Sequence, residues 1–194
     1  MLRRCGVVLL GCLLSALAVL PAARAAEGAR PVLLVARPEL SQFYRATVLL
    51  AVPARNGQHI GFIINRPTDI TLAELFPEHA PSKLVTDPIF LGGPDQLRNV
   101  FAVVNRDRNP GGHSIPLMNE LFLAIDVEVV DSIIEKEANH ARFFVGMVTW
   151  DPGELDAELE RGFWYVLQPE VAVVLRKSTQ GMWEELVRRA ANAL

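Results

Sequence analysis

Cysteine is nearly missing from this chain. Its 194 residues include two, Cys5 and Cys12, both within the first 12 positions. From residue 13 onward a disulfide, a cysteine nucleophile and a cysteine-ligated metal are excluded. Basic clusters are missing too: 19 Lys and Arg are dispersed among 22 Asp and Glu. Nucleic acid is therefore not an expected partner, because neutralising phosphates needs concentrated Lys or Arg. The histidines His59, His79, His113 and His140 are scattered and form no HxxxH zinc pair. The phosphate-loop, dinucleotide and GxSxG nucleophile-elbow patterns do not occur. Gly111-Gly112-His113-Ser114 sets a His beside a Ser, but adjacent side chains in extended chain point to opposite faces. Glu154 and Glu158 read as a solvated helix face rather than an acid–base pair. No catalytic residue, metal ligand or cofactor is expected, and the chain reads as a non-enzyme.

One long apolar run is present, at the N-terminus. Arg3 and Arg4 precede uncharged residues 7–20, Pro21 breaks the run, and Ala23-Arg24-Ala25 offers a small-x-small cleavage site. That order predicts a secretory signal peptide over residues 1–25 and a single domain over 26–194. The run is short for a membrane span, which needs about 20 residues. A retained inner-membrane anchor is the alternative. Leu9-Leu10-Gly11-Cys12 has the shape of a lipoprotein box, with too short an apolar stretch before it. Cleavage would remove both cysteines and three arginines, leaving 16 bases against 22 acids and a formal charge of −6. The expected compartment is then the periplasm, with membrane contact only through an uncleaved leader.

The rest of the chain alternates strand and helix signals. Residues 32–36 are apolar and stop at Arg37-Pro38. Residues 44–52 and 59–64 flank Asn56-Gly57, which predicts an antiparallel hairpin. Gly61 inside the second strand implies a bulge or a close backbone approach. Thr71 and Glu74 form a capping box for a short helix stopped by Pro77 and Pro81. Strands are expected at 89–91, 100–104, 121–125 and 143–148, with an exposed loop at 105–113. Asp126 is a candidate N-cap for a helix burying Val129, Val130, Ile133 and Ile134. Asp151-Pro152-Gly153-Glu154 carries N-cap signals for another, with Leu155 and Leu159 facing the core. Residues 182–193 close the chain as an amphipathic helix. The order predicts a mixed α/β domain.

Candidate ligand contacts lie where strands end. Asn65 and Arg66 follow one strand, and Thr149, Trp150 and Asp151 another. In α/β sheets such ends can share a crevice. There Arg66 would hold a carboxylate or phosphate and Trp150 would supply an apolar wall. The plainer alternative is a strand terminator and a core tryptophan. Gly92-Gly93-Pro94 resembles an anion cradle, but Pro94 removes one N–H donor, which favours a structural turn. The candidate set is Asn65, Arg66, Gly92, Gly93 and Trp150.

Four blocks together resemble one family. They are LLVARPELSQFYRATVLLAV (33–52), GFIINRPTDITLAELF (61–76), IFLGGP (89–94) and GMVTWDPGELDAELERGFWYV (146–166). In this order and spacing they are similar to the AlgH/YqgE-type family of bacterial proteins. The resemblance implies a single α/β domain whose mixed, branched β-sheet forms a pseudo-barrel flanked by short helices. It implies no established activity. Members mostly lack an export signal, so the first 25 residues depart from the pattern, as does Glu154 where Gln is usual. The expected function is a non-enzymatic binding or interaction domain in the periplasm, with an unknown protein or small-molecule partner. The alternatives are a cytoplasmic transcriptional regulator of the alginate or exopolysaccharide type, and an unrecognised small-molecule enzyme working through Asn65, Arg66 and Trp150.

Overall fold

The computed structural model describes residues 30–192 apart from 41 and 119. The expected signal segment, residues 1–25, lies outside the described residues.

The first strand, β1 (Val32–Ala36), is buried along its whole length. It pairs antiparallel with β2 (Val48–Pro53), which pairs with β3 (His59–Ile63). The hairpin turn is made by Asn56 (φ 58°, ψ 30°) and Gly57 (φ 76°), both left-handed as an Asn-Gly turn requires. Residues 44–47 do not extend β2 as expected. Residues 42–44 form a single 3-10 turn, and Gln42 and Ala46 adopt left-handed φ of 59° and 51°.

The sequence pattern hides the next strand. β4 (Pro67–Thr71) intervenes between Asn65-Arg66 and the short helix α1 (Leu72–Leu75). The Thr71–Glu74 capping box is formed reciprocally, with the Thr71 N–H donating to Glu74 Oε2 at 2.7 Å. β5 (Pro88–Leu91) follows, then the long β6 (Asp95–Asn105), β7 (Ile115–Met118) and β8 (Leu121–Ala124). After helix α2 (Val127–Lys136), β9 (Ala141–Trp150) runs through the centre of the sheet. Helix α3 (Glu154–Glu160), β10 (Trp164–Leu167), α4 (Val171–Val174) and α5 (Met182–Ala191) complete the chain.

The sheet order is β10-β1-β2-β3-β9-β6-β8-β7, and it branches at β9. One edge of β9 pairs with β6. The other is shared: Phe144 and Val145 pair in parallel with β5, while Val148 to Trp150 pair antiparallel with β3. Gly146 makes the split possible. Its left-handed φ of 71° interrupts the alternation of β9, while the extra residues of the accompanying bulge lie opposite, in β6 between Asp95 and Val100. Phe144 and Met147, three apart, therefore face the same core, whereas strict alternation would put them on opposite faces. The result is a curled, mainly antiparallel sheet, a half-barrel, in one mixed α/β domain.

Both faces of the sheet are covered, so the strands read as continuous apolar runs rather than alternating ones. The concave face buries Leu33, Val35, Leu50, Phe62, Phe101 and Phe144 against Val173 and Val174 of α4 and Met182 and Leu186 of α5. On the convex face, α2 lays Val130, Ile133 and Ile134 over Ala102, Phe122 and Phe143. Leu155 of α3 packs with Leu34, Leu49, Ile63 and both Trp150 and Trp164. Among the described residues no helix is long and apolar enough to cross a membrane.

Two cap expectations need correction. Asp126 stands at the N-cap of α2, but its side chain makes no cap bond. Its carboxylate instead accepts from the His113 N–H at 2.7 Å, tying down the 105–113 loop. Asp151 is not an N-cap, because Gly153 (φ 82°) holds that position; the Asp151 N–H donates to Glu154 Oε2 at 3.0 Å.

Candidate functional site

Asn65 and Arg66 leave β3 side by side and engage the same loop. Asn65 Oδ1 accepts from the Val48 N–H at 2.8 Å, and its Nδ2 donates to the Ala46 carbonyl at 2.9 Å. Arg66 Nη2 donates to the Phe43 carbonyl at 2.6 Å and to Thr47 Oγ1 at 3.1 Å, with its guanidinium 4.5 Å from the centre of the Phe43 ring. Together they clasp residues 42–48, the segment with two left-handed non-glycine residues. Such conformations cost on the order of 1 kcal/mol or more each and persist only where neighbours over-determine them. Partial burial lowers the Arg66 pKa from its ordinary value, with Tyr44 acting in the opposite sense.

Gly92 and Gly93 are glycines because β9 passes too close for anything larger. A Cβ on Gly92 would collide with the Gly146 carbonyl, and one on Gly93 with the Met147 backbone. The Gly92 N–H donates to the Val145 carbonyl at 2.8 Å, so it is already engaged. Trp150 is 3% exposed, and its ring lies where a Cβ on Gly61 would be, 2.7 Å away. Gly61 therefore marks a close approach, and its register with Ala51 runs without a bulge. The indoles of Trp150 and Trp164 both donate to one oxygen, Glu158 Oε2, at 3.2 and 2.8 Å. Tyr44 meets Trp164 edge-on with ring centres 5.8 Å apart. Burial, then Glu158, Asp95 and Glu154, raise the Tyr44 pKa.

Arg142, the one charged residue in β9 (ARFFVGMVTW), is a functional side chain that the sequence pattern does not single out. It is 3% exposed and lies on the concave side. Nη1 donates to the Val174 carbonyl and Nη2 to the Ile64 carbonyl, each at 2.6 Å. The guanidinium stacks 3.8 Å from the centre of the Phe90 ring. Burial pushes its pKa down to about 9, with Asp87 opposing. Arg142 thus ties α4 to the end of β3, immediately before Asn65.

A different place offers ligand-sized space. Where β6 runs past the N-terminal half of α2, a cavity of about 540 Å³ opens. Phe76, Val100, Ile125, Val127, Val130 and Ile134 give it apolar walls, and His79, Arg98, Asn99, Glu128 and Asp131 supply polar groups. The volume falls within the range of small-molecule sites, roughly 300–1,000 Å³. None of the five strand-end candidates lines it.

His79 anchors one side of this cavity. Its Nδ1 lies 2.7 Å from Ser82 Oγ and its Nε2 3.3 Å from Asp131 Oδ1. Ser, His and Asp are the residue types of a hydrolase triad, but the ring nitrogens are exchanged relative to it and Ser82 is fully buried, out of a substrate's reach. Glu135 lies one turn beyond Asp131 on α2, and donor atoms of His79, Asp131 and Glu135 stand within 4.8 Å of one another. Only the i, i+4 spacing of the two acids was visible in the sequence. His79 is 52 residues away in an unremarkable Pro-flanked loop.

Residues 33–194 match the family model DUF179, described as AlgH-like. The chain belongs to this AlgH-like family. Among its relatives, a UPF0301 protein of Streptomyces avermitilis is 33% identical over 171 residues, covering 84% of this chain and 86% of that one. A UPF0301 protein of Streptomyces coelicolor is 30% identical, covering 81% and 84%. Two solved structures share the AlgH-like fold. The AlgH protein of Pseudomonas aeruginosa superposes with a TM-score of 0.67 at 24% identity, covering 83% of this chain and 86% of that one. Protein DIP2367 of Corynebacterium diphtheriae gives 0.68 at 22%, with the same coverage. At these identities the structural likeness concerns the fold alone.

Proposed function

We propose that this AlgH-like protein is a non-catalytic binding domain, and that the cavity between α2 and β6 seats a small, largely apolar ligand. The supporting observation is the cavity itself: about 540 Å³, apolar walls and a few polar groups at the rim. The burial of Ser82 supports a non-catalytic reading of the adjoining His79–Asp131 contact. The strand-end residues serve this domain as scaffold: Asn65 and Arg66 clasp a strained loop, and Gly92, Gly93 and Trp150 fill close-packed positions.

The test uses the fluorophore 1-anilinonaphthalene-8-sulfonate. Saturable binding is expected, and Val127→Trp should abolish it. Val127 is 76% exposed at the mouth, so the bulky residue blocks the cavity without disturbing the core. Non-saturating fluorescence, or equal affinity in the variant, would overturn the assignment of the seat.

The compartment belongs to the same proposal. The basic, apolar and small-residue order of residues 1–25 supports export to the periplasm. A mature N-terminus at Ala26 in the periplasmic fraction is expected; an intact Met1 in the cytosol overturns export and leaves the binding seat untouched.

A further inference from the structure

We infer that His79, Asp131 and Glu135 bind one divalent transition-metal ion of the manganese or zinc type at the rim of the cavity. Three tertiary features converge there. His79 Nε2 and Asp131 Oδ1 are 3.3 Å apart. Two ligands on one such ion stand roughly 3–3.5 Å apart, given metal–ligand bonds of about 2.0–2.2 Å. Glu135 brings a second carboxylate, all three donors lying within 4.8 Å of one another, so a side-chain rotation closes the set. Both acids project from α2, one helical turn apart, and a helix holds ligands more firmly than a loop does.

The imidazole is already oriented. Ser82 Oγ, fully buried, sits 2.7 Å from Nδ1. With the proton on Nδ1, that nitrogen donates to Ser82 and the Nε2 lone pair faces the two carboxylates. A metal-bound histidine characteristically uses its second nitrogen in this way, and the partner fixes tautomer and ring angle. Without metal, the Nε2 proton can instead bridge to Asp131. One neutral imidazole with two carboxylates suits borderline and hard divalent transition ions, and a soft ion such as Cu(I) poorly. His79 and Asp131 also line the cavity, so the ion would border the ligand seat. The metal site itself rests on its own donors and not on the binding reading.

The experiment is a calorimetric titration of the chelator-treated full chain with MnCl2, alongside amide NMR at substoichiometric Mn(II). Manganese is the probe because zinc would also seek the thiols of Cys5 and Cys12. One ion per chain is expected, with paramagnetic broadening centred on His79, Asp131 and Glu135. Asp131→Asn and Glu135→Gln should each weaken binding by at least about tenfold, and Ser82→Ala by roughly 10–100-fold. Asp131 and Glu135 are exposed, so their metal-free variants should melt like the parent. Absence of saturable Mn(II) binding, or affinity that survives both carboxylate substitutions, overturns the inference. Val127→Trp separates the two proposals: it should lose the fluorophore and keep the ion.

Discussion

Replacing Asn65 by alanine removes two hydrogen bonds from one side chain, at 2.8 Å to the Val48 N–H and 2.9 Å to the Ala46 carbonyl. The two losses differ. Val48 is fully buried, so its N–H finds no water. An unsatisfied buried donor costs about 1–3 kcal/mol. Ala46 is half-buried, and its carbonyl can turn partly to solvent. That loss is about 0.5–1.5 kcal/mol. The sum, roughly 2–4 kcal/mol, should lower the melting temperature by roughly 5–15 °C in a domain of this size. Asn65→Asp keeps the acceptor for Val48 and loses only the donor to Ala46, so its drop should be smaller. Ala46→Gly in the Asn65→Ala background should recover about 1 kcal/mol, because glycine relieves the left-handed backbone. Differential scanning calorimetry of the four proteins reads all of this. A melting temperature for Asn65→Ala within about 2 °C of the parent, the range of ordinary surface changes, would refute the clasp and restore Asn65 as a candidate ligand contact.

Two further outcomes are expected. Arg142→Lys should cost about 2–4 kcal/mol in urea unfolding, because one ammonium cannot span the Ile64 and Val174 carbonyls and stays buried; Arg142→Met, which removes the buried charge, should cost no more. A lysine variant as stable as the parent would contradict the two-carbonyl tie. Hydrogen bonds from the Thr71 backbone and hydroxyl hold the Glu74 pKa below its ordinary 4.5. Its contribution to stability is complete above the unfolded value and fades as pH falls through the lower folded one. Glu74→Gln should therefore flatten the acid limb of a stability–pH curve below about pH 4.5, and an unchanged limb would show the capping box to be energetically silent.

Local chemistry made much of the fold legible. Asn56-Gly57 announces its hairpin because few other pairs accept two left-handed residues. Thr71 and Glu74 announce a helix start because the box closes within four residues. The misses are equally physical. β4 (PTDIT) has a single large apolar residue and begins with Pro67, so it is read as turn, and β7 (IPLM) is four residues with a proline inside, too short to show a period. Asp126 has the composition of a cap, but the His113 N–H competes for its carboxylate from 13 residues away. Residues 44–47 have strand propensity, overridden by the clasp from Asn65 and Arg66.

By itself, the sequence determined most of the apolar strands, the Asn56-Gly57 turn and the Thr71–Glu74 cap, together with the family, because each depends on neighbours a few positions apart or on blocks kept in order. Only the tertiary structure decided what the polar residues do. Arg66 meets its loop 23 residues back, Arg142 reaches a carbonyl 78 residues away, and His79 meets Asp131 only because α2 folds across β6. A side chain's chemistry is written in its type; its partner is set by which strands share an edge, and here that was settled by the branch at β9.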